Sequence, residues 1–127
     1  MQQAHDFLIE SKLLFELLNN RNESDFDFIT QFKNWSINDV IGHLYLFNVA
    51  AIKTVNGAKS FDDFFTPFLQ LLQKGQSMVQ AQVPWLNGLS GYALLNKWWN
   101  SCLELENLYS VVDPKLRVRW AGPEMSA

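Results

Sequence analysis

Hydrophobic residues recur every three or four positions through most of the chain, which is the spacing of helices that bury one face. The first such pattern predicts a helix over residues 3–20. The second predicts a helix over residues 37–55 that ends at Asn56-Gly57, where a glycine can adopt the left-handed conformation of a helix C-cap. Both helices are long enough to carry a continuous buried stripe.

Two further helical patterns follow, and each is bounded by residues that interrupt helices. Residues 61–82 form the third pattern, in which Pro67 predicts a kink or a second helix start at Thr66-Pro67 and Val83-Pro84-Trp85 predicts a stop. The fourth begins after Ser90 as its N-cap and ends at Asp113-Pro114. Only residues 116–120 allow a short extended segment, so the predicted fold class is all-α, an antiparallel up-down helical bundle.

The start of the second helix carries the most specific local pattern. Ser36 is placed to cap the first turn, and Asp39 occupies the position of a capping-box acid. His43 lies one turn after Asp39 at the edge of the apolar stripe, from which its ring can point into a cleft between helices. A single helical histidine is more often half-buried and hydrogen-bonded than a ligand, so this position alone does not define a site.

Two other polar side chains fall within apolar stripes. Asn48 lies in the middle of the second helix, where an unpaired buried amide would cost about 1–3 kcal/mol. Pairing with a neighbouring helix is the favoured interpretation, and lining of a polar cavity is the alternative. Cys102 is the only cysteine, which excludes an intramolecular disulfide, and its apolar neighbours predict a buried, unreactive thiol in a reducing compartment.

Length, composition and charge exclude several classes of protein. With 127 residues, 48% of them hydrophobic, the chain is expected to form a single domain over residues 1–127. A net charge of −3 gives no excess of positive charge with which to bind the phosphate backbone of a nucleic acid. The basic residues Lys115, Arg117 and Arg119 are expected to be solvated. No signal peptide or membrane-spanning run is seen, so a cytoplasmic location without membrane contact is predicted.

Two segments of the chain resemble the DinB-like metal-binding bundles and are most similar to the mycothiol-dependent maleylpyruvate isomerase group. The first is Trp35-Ser36-Ile37-Asn38-Asp39-Val40-Ile41-Gly42-His43-Leu44, followed by Phe47, Asn48, Ala50 and Ala51. The second comprises Trp98-Trp99, Leu103, Leu105 and the run from Asp113 to Ala127.

The resemblance implies a divalent metal ion, zinc or nickel, bound by a histidine of the second bundle helix and by a Glu and a His one turn apart on the last. His43 matches the first ligand, and no residue of the chain matches the other two, so the ligand set is incomplete. Asp39 is expected to orient the other ring nitrogen of His43, as partners of metal-bound histidines commonly do. The implied chemistry is that of a thiol-dependent isomerase or transferase, with mycothiol or another low-molecular-weight thiol as cofactor.

The end of the chain suggests that the last bundle helix is missing. Met125-Ser126 has the pattern of a helix start, a hydrophobic residue before a Ser N-cap, yet only Ala127 follows. We therefore expect the N-terminal part of a longer DinB-like protein, with the remaining ligands beyond Ala127. An uncovered bundle groove favours a homodimer in which each chain covers the open face of the other.

Three functional hypotheses follow from the sequence. The first is a metal-binding domain in which His43 is a ligand. The second is a non-catalytic helical binding or dimerisation module without a complete metal site. The third is a metal-free pocket for a small-molecule substrate, lined by Phe47, Asn48, Trp98 and Trp99.

Overall fold

The computed structural model describes residues 2–111, 117–118 and 125–126. Within these residues it contains five α-helices, α1 Gln2–Asn19, α2 Ile37–Val55, α3 Ala58–Gln73, α4 Met78–Leu86 and α5 Gly91–Val111, and a 3-10 helix at Glu23–Asp27. Two short strands, β1 Arg117–Val118 and β2 Met125–Ser126, pair antiparallel. The predicted all-α class is confirmed, and no helix of this described part is long and apolar enough to cross a membrane.

The second helix matches its prediction closely. Ser36 Oγ accepts a hydrogen bond from the Asp39 N–H at 3.0 Å, and Asp39 Oδ2 accepts one from the Ser36 N–H at 3.0 Å, which completes the capping box. The helix ends at Val55, and Gly57 follows with a φ of 113° that only glycine adopts easily. Local capping therefore fixes both ends of α2.

The two proline signals in the following segment were misleading. α3 continues through Pro67 and α4 through Pro84, so the predicted second helix start at Thr66-Pro67 and the predicted stop at residues 83–85 are wrong, while the alternative of a kink at Pro67 stays a prediction. Each proline frees one backbone carbonyl four residues earlier, at Asp63 and Gln80. All four of these residues are exposed, so water can satisfy the freed carbonyls while the other side of each helix stays packed.

The break between α3 and α4 instead falls at residues 74–77. Gly75 has a φ of 96°, and the Gln76 N–H donates to the Leu71 carbonyl at 3.2 Å, which closes the end of α3. Ser77 then begins α4 with a second capping box, completed by Gln80. Gly75 and the capping box of Ser77, and not Pro67, therefore determine where the chain passes from α3 to α4.

The buried side chains form two clusters that share α2. The first lies mainly between α1, α2 and α5 and contains Leu18, Phe26, Ile41, Leu94, Leu95, Trp98 and Cys102. The second lies between α2, α3 and α4 and contains Ala50, Phe61, Phe65, Phe68 and Ala81. Most of the aromatic residues therefore fill the core, which explains their high content.

The start of α5 is fixed by side chains from elsewhere in the chain. The Gly91 N–H donates to Asn38 Oδ1 at 2.8 Å, and the Tyr92 N–H donates to Glu23 Oε1 at 3.4 Å. The predicted cap, Ser90, contributes its backbone carbonyl, which accepts from the Leu94 N–H at 3.2 Å. Tertiary contacts thus satisfy the free N–H groups that open this helix.

The C-terminal segment differs from the helix start that was predicted. Met125 pairs with Val118 and Ser126 with Arg117, so Met125-Ser126 is a strand and the helix-start prediction is wrong. Pairing satisfies backbone groups that a helix start would leave free. Arg117–Val118 lies within the segment predicted to be extended. The predictions for Lys115, Arg119 and the Asp113-Pro114 helix end lie outside the described residues.

Candidate functional site around His43

His43 lies between two aromatic rings. The centroid of its imidazole lies 5.4 Å from that of the Trp35 ring, with an interplanar angle of 65°. It lies 4.4 Å from the centroid of the Phe47 ring, with an interplanar angle of 42°. Trp35 ends the loop before α2, and Phe47 follows His43 by one helical turn. Phe47 in turn meets Phe65 and Phe68 of α3, so the site is continuous with the second core cluster.

The imidazole is half-buried and favours its neutral form. Burial lowers the pKa of His43, and the nearby positive charge of Lys33 lowers it further. The Nδ1 atom is buried and has no hydrogen-bond partner. A neutral imidazole with an unpaired nitrogen is the chemical form that can bind a metal ion or accept a proton from a ligand.

Asp39 does not contact Nδ1 of His43, and the expectation that it orients the other ring nitrogen stays a prediction. Its carboxylate accepts the Ser36 N–H in the capping box, and Nδ1 of His43 has no partner. The backbone carbonyl of Asp39 accepts a hydrogen bond from Gln82 Nε2 at 3.2 Å. Asp39 therefore shapes the first turn of α2, on which His43 depends for its position.

Sequence reasoning missed Gln82, which is buried near the site. It is 1% exposed, and its Oε1 has no hydrogen-bond partner. A Cβ on Gly42 would lie 3.2 Å from Gln82 Nε2 and 2.8 Å from Leu86 Cδ1, so a larger residue at position 42 would require the ends of these α4 side chains to shift. A glycine inside a strong helical pattern was the available signal, since it costs about 1 kcal/mol relative to alanine and indicates close packing.

The four residues predicted to line one pocket divide between the two core clusters, Phe47 packing with the second and Trp98 and Trp99 with the first. Phe47 faces α3, where it helps line an apolar cavity of about 10 Å³, large enough for about one water molecule. Trp98 is 2% exposed in the first core cluster, and Trp99 stacks on Phe15 at 5.2 Å. Asn48 Nδ2 donates to Ser101 Oγ at 3.0 Å, which confirms the favoured pairing interpretation.

Cys102 is a structural residue, as predicted. Its side chain is fully buried and accepts a hydrogen bond from Asn48 Nδ2 at 3.3 Å. Burial raises the pKa of the Cys102 thiol, although hydrogen bonds with Ser11 and Asn48 act in the opposite direction. A thiol in this environment is a poor nucleophile.

The described residues supply one candidate metal ligand near Trp35 and Phe47. Among residues 2–111, 117–118 and 125–126, no group of three His, Cys, Asp or Glu side chains could hold a metal ion. His43 fits the part of a single imidazole donor, because its Nδ1 is unpaired and its neutral form is favoured. Further donors would have to come from outside the described side chains.

Comparison with known proteins identifies a family for the chain. A family model described as the mycothiol maleylpyruvate isomerase N-terminal domain matches residues 10–127, which is nearly the whole chain. Searches of curated proteins and of solved structures found no match.

Proposed function

This chain belongs to the mycothiol maleylpyruvate isomerase N-terminal domain family, and from that premise we propose that it is a metal-binding DinB-like domain with His43 as one ligand. The observation that carries the proposal is the buried, unpaired Nδ1 of His43. Zinc and nickel are the proposed ions, since both accept imidazole ligands. When bound, such an ion polarises a carbonyl group or stabilises a thiolate.

The surroundings of His43 suit this role. Trp35 and Phe47 restrict the ring between them, and burial together with Lys33 favours its neutral form. The complete protein is proposed to carry out thiol-dependent isomerase or transferase chemistry on a small-molecule substrate, with mycothiol or another low-molecular-weight thiol. Cys102 cannot replace that thiol, because it is fully buried and its pKa is raised.

Isothermal titration of the chain with zinc and with nickel tests the proposal. We expect near-equimolar uptake that His43→Ala weakens at least about tenfold, the loss expected for removal of a ligand. His5→Ala, which removes the other histidine of the chain, is the matched control and should leave uptake unchanged. Absence of uptake, or equal uptake by His43→Ala and the unaltered chain, contradicts the proposal.

A second candidate is a non-catalytic dimerisation module, and the outer surface of α1 favours it. Ile9, Leu13 and Leu17 are 49%, 63% and 57% exposed. They recur every four residues and so share one side of α1, while Leu14 and Leu18 pack in the first core cluster. A helix that is apolar on opposite sides is typical of one that is buried on both.

We propose that a second copy of the chain covers this outer stripe of Ile9, Leu13 and Leu17. Sedimentation velocity should then show a dimer that Leu13→Glu converts to a monomer, because the substitution places a charge in the contact. Val83→Glu alters a residue of α4 that is 58% exposed and should leave the dimer intact. A monomer at every concentration tested would exclude this second role.

A further inference from the structure

A tight hairpin precedes α2 and borders the candidate site. Ile29 forms a bridge with Ser36, and the Thr30 N–H donates to the Trp35 carbonyl at 2.7 Å. The Trp35 N–H donates to the Phe32 carbonyl at 2.8 Å, which closes a turn with Lys33 and Asn34 at its two central positions. Their φ values are 52° and 59°, as in the type I′ turns that join antiparallel strands.

Lysine is an unfavourable residue for the first of these positions. Asn and Gly are strongly preferred where φ is positive, because a longer side chain attached through Cβ crowds the backbone. Backbone conformations of this kind cluster at functional sites, where the side chain that they present has a use. In this hairpin that side chain is the Lys33 ammonium.

The Lys33 ammonium and the His43 imidazole belong to one continuous surface. Nζ of Lys33 lies 5.5 Å from the centroid of the Phe32 ring. The Phe32 ring meets Trp35 edge-on at 5.2 Å, and Trp35 meets His43 at 5.4 Å. Phe32 is 55% exposed, so the surface has an apolar part that is open to solvent.

Lys33 forms no ion pair with a carboxylate among the residues that the structure describes. Asp39 accepts the Ser36 N–H, and Asp27 accepts a hydrogen bond from Asn38 Nδ2 at 2.9 Å. An ammonium without such an ion pair, beside an exposed aromatic ring, complements a ligand with an apolar body and a negative group.

We propose that Lys33 is a specificity-determining residue that binds the negative group of an organic anion, whose apolar part packs against Phe32 and Trp35 next to His43. The ammonium donates hydrogen bonds to the anion, and the two rings exclude water from its apolar part. The inference deepens the proposed function, on which it rests for the role of His43. Binding of the anion itself requires only the hairpin and the start of α2.

An NMR titration of the metal-free protein with benzoate, and separately with benzamide, tests this proposal. Benzamide has the same ring and a neutral group in place of the carboxylate. We expect benzoate to shift the Trp35 indole and His43 imidazole signals, and benzamide to bind at least threefold more weakly. Lys33→Gln should weaken benzoate binding about threefold, as expected for an exposed charge pair, and leave benzamide binding unchanged.

Two further variants make the titration specific. Lys33→Arg keeps the positive charge and should retain benzoate binding, while Lys97→Gln removes an exposed charge of α5 and should have no effect. The proposal is overturned if benzoate leaves the Trp35 and His43 signals in place, if benzamide binds equally well, or if Lys33→Gln binds benzoate like the unaltered chain. Failed zinc and nickel uptake with intact Lys33-dependent benzoate binding would reject the metal proposal alone.

Discussion

Replacement of Gly91 by alanine should destabilise the domain through two separable effects. Gly91 has a φ of 58°, a conformation that costs an alanine about 1–2 kcal/mol. An added Cβ would also lie 2.8 Å from Glu23 Cγ and 2.9 Å from Glu23 Cδ. The Glu23 side chain would have to move, which breaks its hydrogen bond with the Tyr92 N–H at a cost of about 0.5–1.5 kcal/mol.

The sum must be reduced by the effect of alanine on the unfolded chain. Loss of glycine's freedom in the unfolded chain stabilises the folded protein by about 0.4–1 kcal/mol, so the net loss for Gly91→Ala is about 0.5–3 kcal/mol. Urea unfolding followed by circular dichroism measures it, and the slope against urea should be unchanged. For a domain of this size the melting temperature should fall by roughly 2–10 °C.

Gly88→Ala is the matched control for this prediction. Gly88 also has a positive φ, 82°, but an added Cβ there meets no atom within 4 Å. Gly88→Ala should therefore lower the free energy of unfolding only through its backbone conformation. In a chain that already carries Glu23→Ala, Gly91→Ala should cause a further loss of the same size as Gly88→Ala. Equal stability of Gly91→Ala and the unaltered chain, or equal losses at Gly88 and Gly91, would refute the reasoning.

Three further predictions concern buried polar groups. Asn48→Ala should lower the free energy of unfolding by about 1–3 kcal/mol, since Ser101 loses its amide partner. Asn96→Ala, at an exposed position of α5, should change it by at most about 0.5 kcal/mol. Urea unfolding measures both variants, and equal losses would contradict the prediction. The pKa of His43 is lower in the folded than in the unfolded metal-free chain, so the unfolded state binds more protons as the pH falls. The part of the free energy of unfolding that depends on neutral His43 is fully present above pH 6.5 and should be lost as the pH falls through the pKa of the folded state. His43→Gln should flatten this dependence in urea midpoints measured from pH 8 to 5, and an unchanged slope would reject it. Cys102 should react with a thiol reagent about 100-fold more slowly in the native protein than in urea, because it is fully buried with a raised pKa, and comparable rates would show that it is accessible.

Local signals predicted the helices well where a cap and a periodic stripe agreed. The bounds of α2 follow from the capping residues Ser36 and Asp39 and from the apolar spacing of the helix. All of these signals are local, because they lie in the helix or directly before it. Pro67 misled because its effect depends on whether the freed carbonyl faces water, which is a property of packing. The contacts of Glu23 and Asn38 with the start of α5 join residues far apart in sequence, and no local pattern encodes them.

The candidate site could be predicted only in part. His43 stood out through its helix position and the resemblance of its segment, but the rings on both sides of it depend on the hairpin and on α3. Lys33 was missed because the turn has neither of the usual Asn-Gly or Asp-Gly pairs, so nothing marked it as a hairpin. Asp39 was expected to orient the other ring nitrogen of His43; its carboxylate completes the capping box of its own helix, and the contact with His43 stays a prediction.

The position of α2 between two separate clusters has a consequence for motion. α3 and α4 pack on α2 and on each other, while α1 and α5 form the other half. Partial unfolding can therefore release the α3–α4 pair while the residues around Leu94 and Trp98 stay packed between α1, α2 and α5, with only the contact of Leu86 lost from that cluster. Because Phe47 contacts both His43 and α3, any such partial unfolding would loosen the packing on one side of the imidazole, so access to this ring depends on how often the α3–α4 pair detaches.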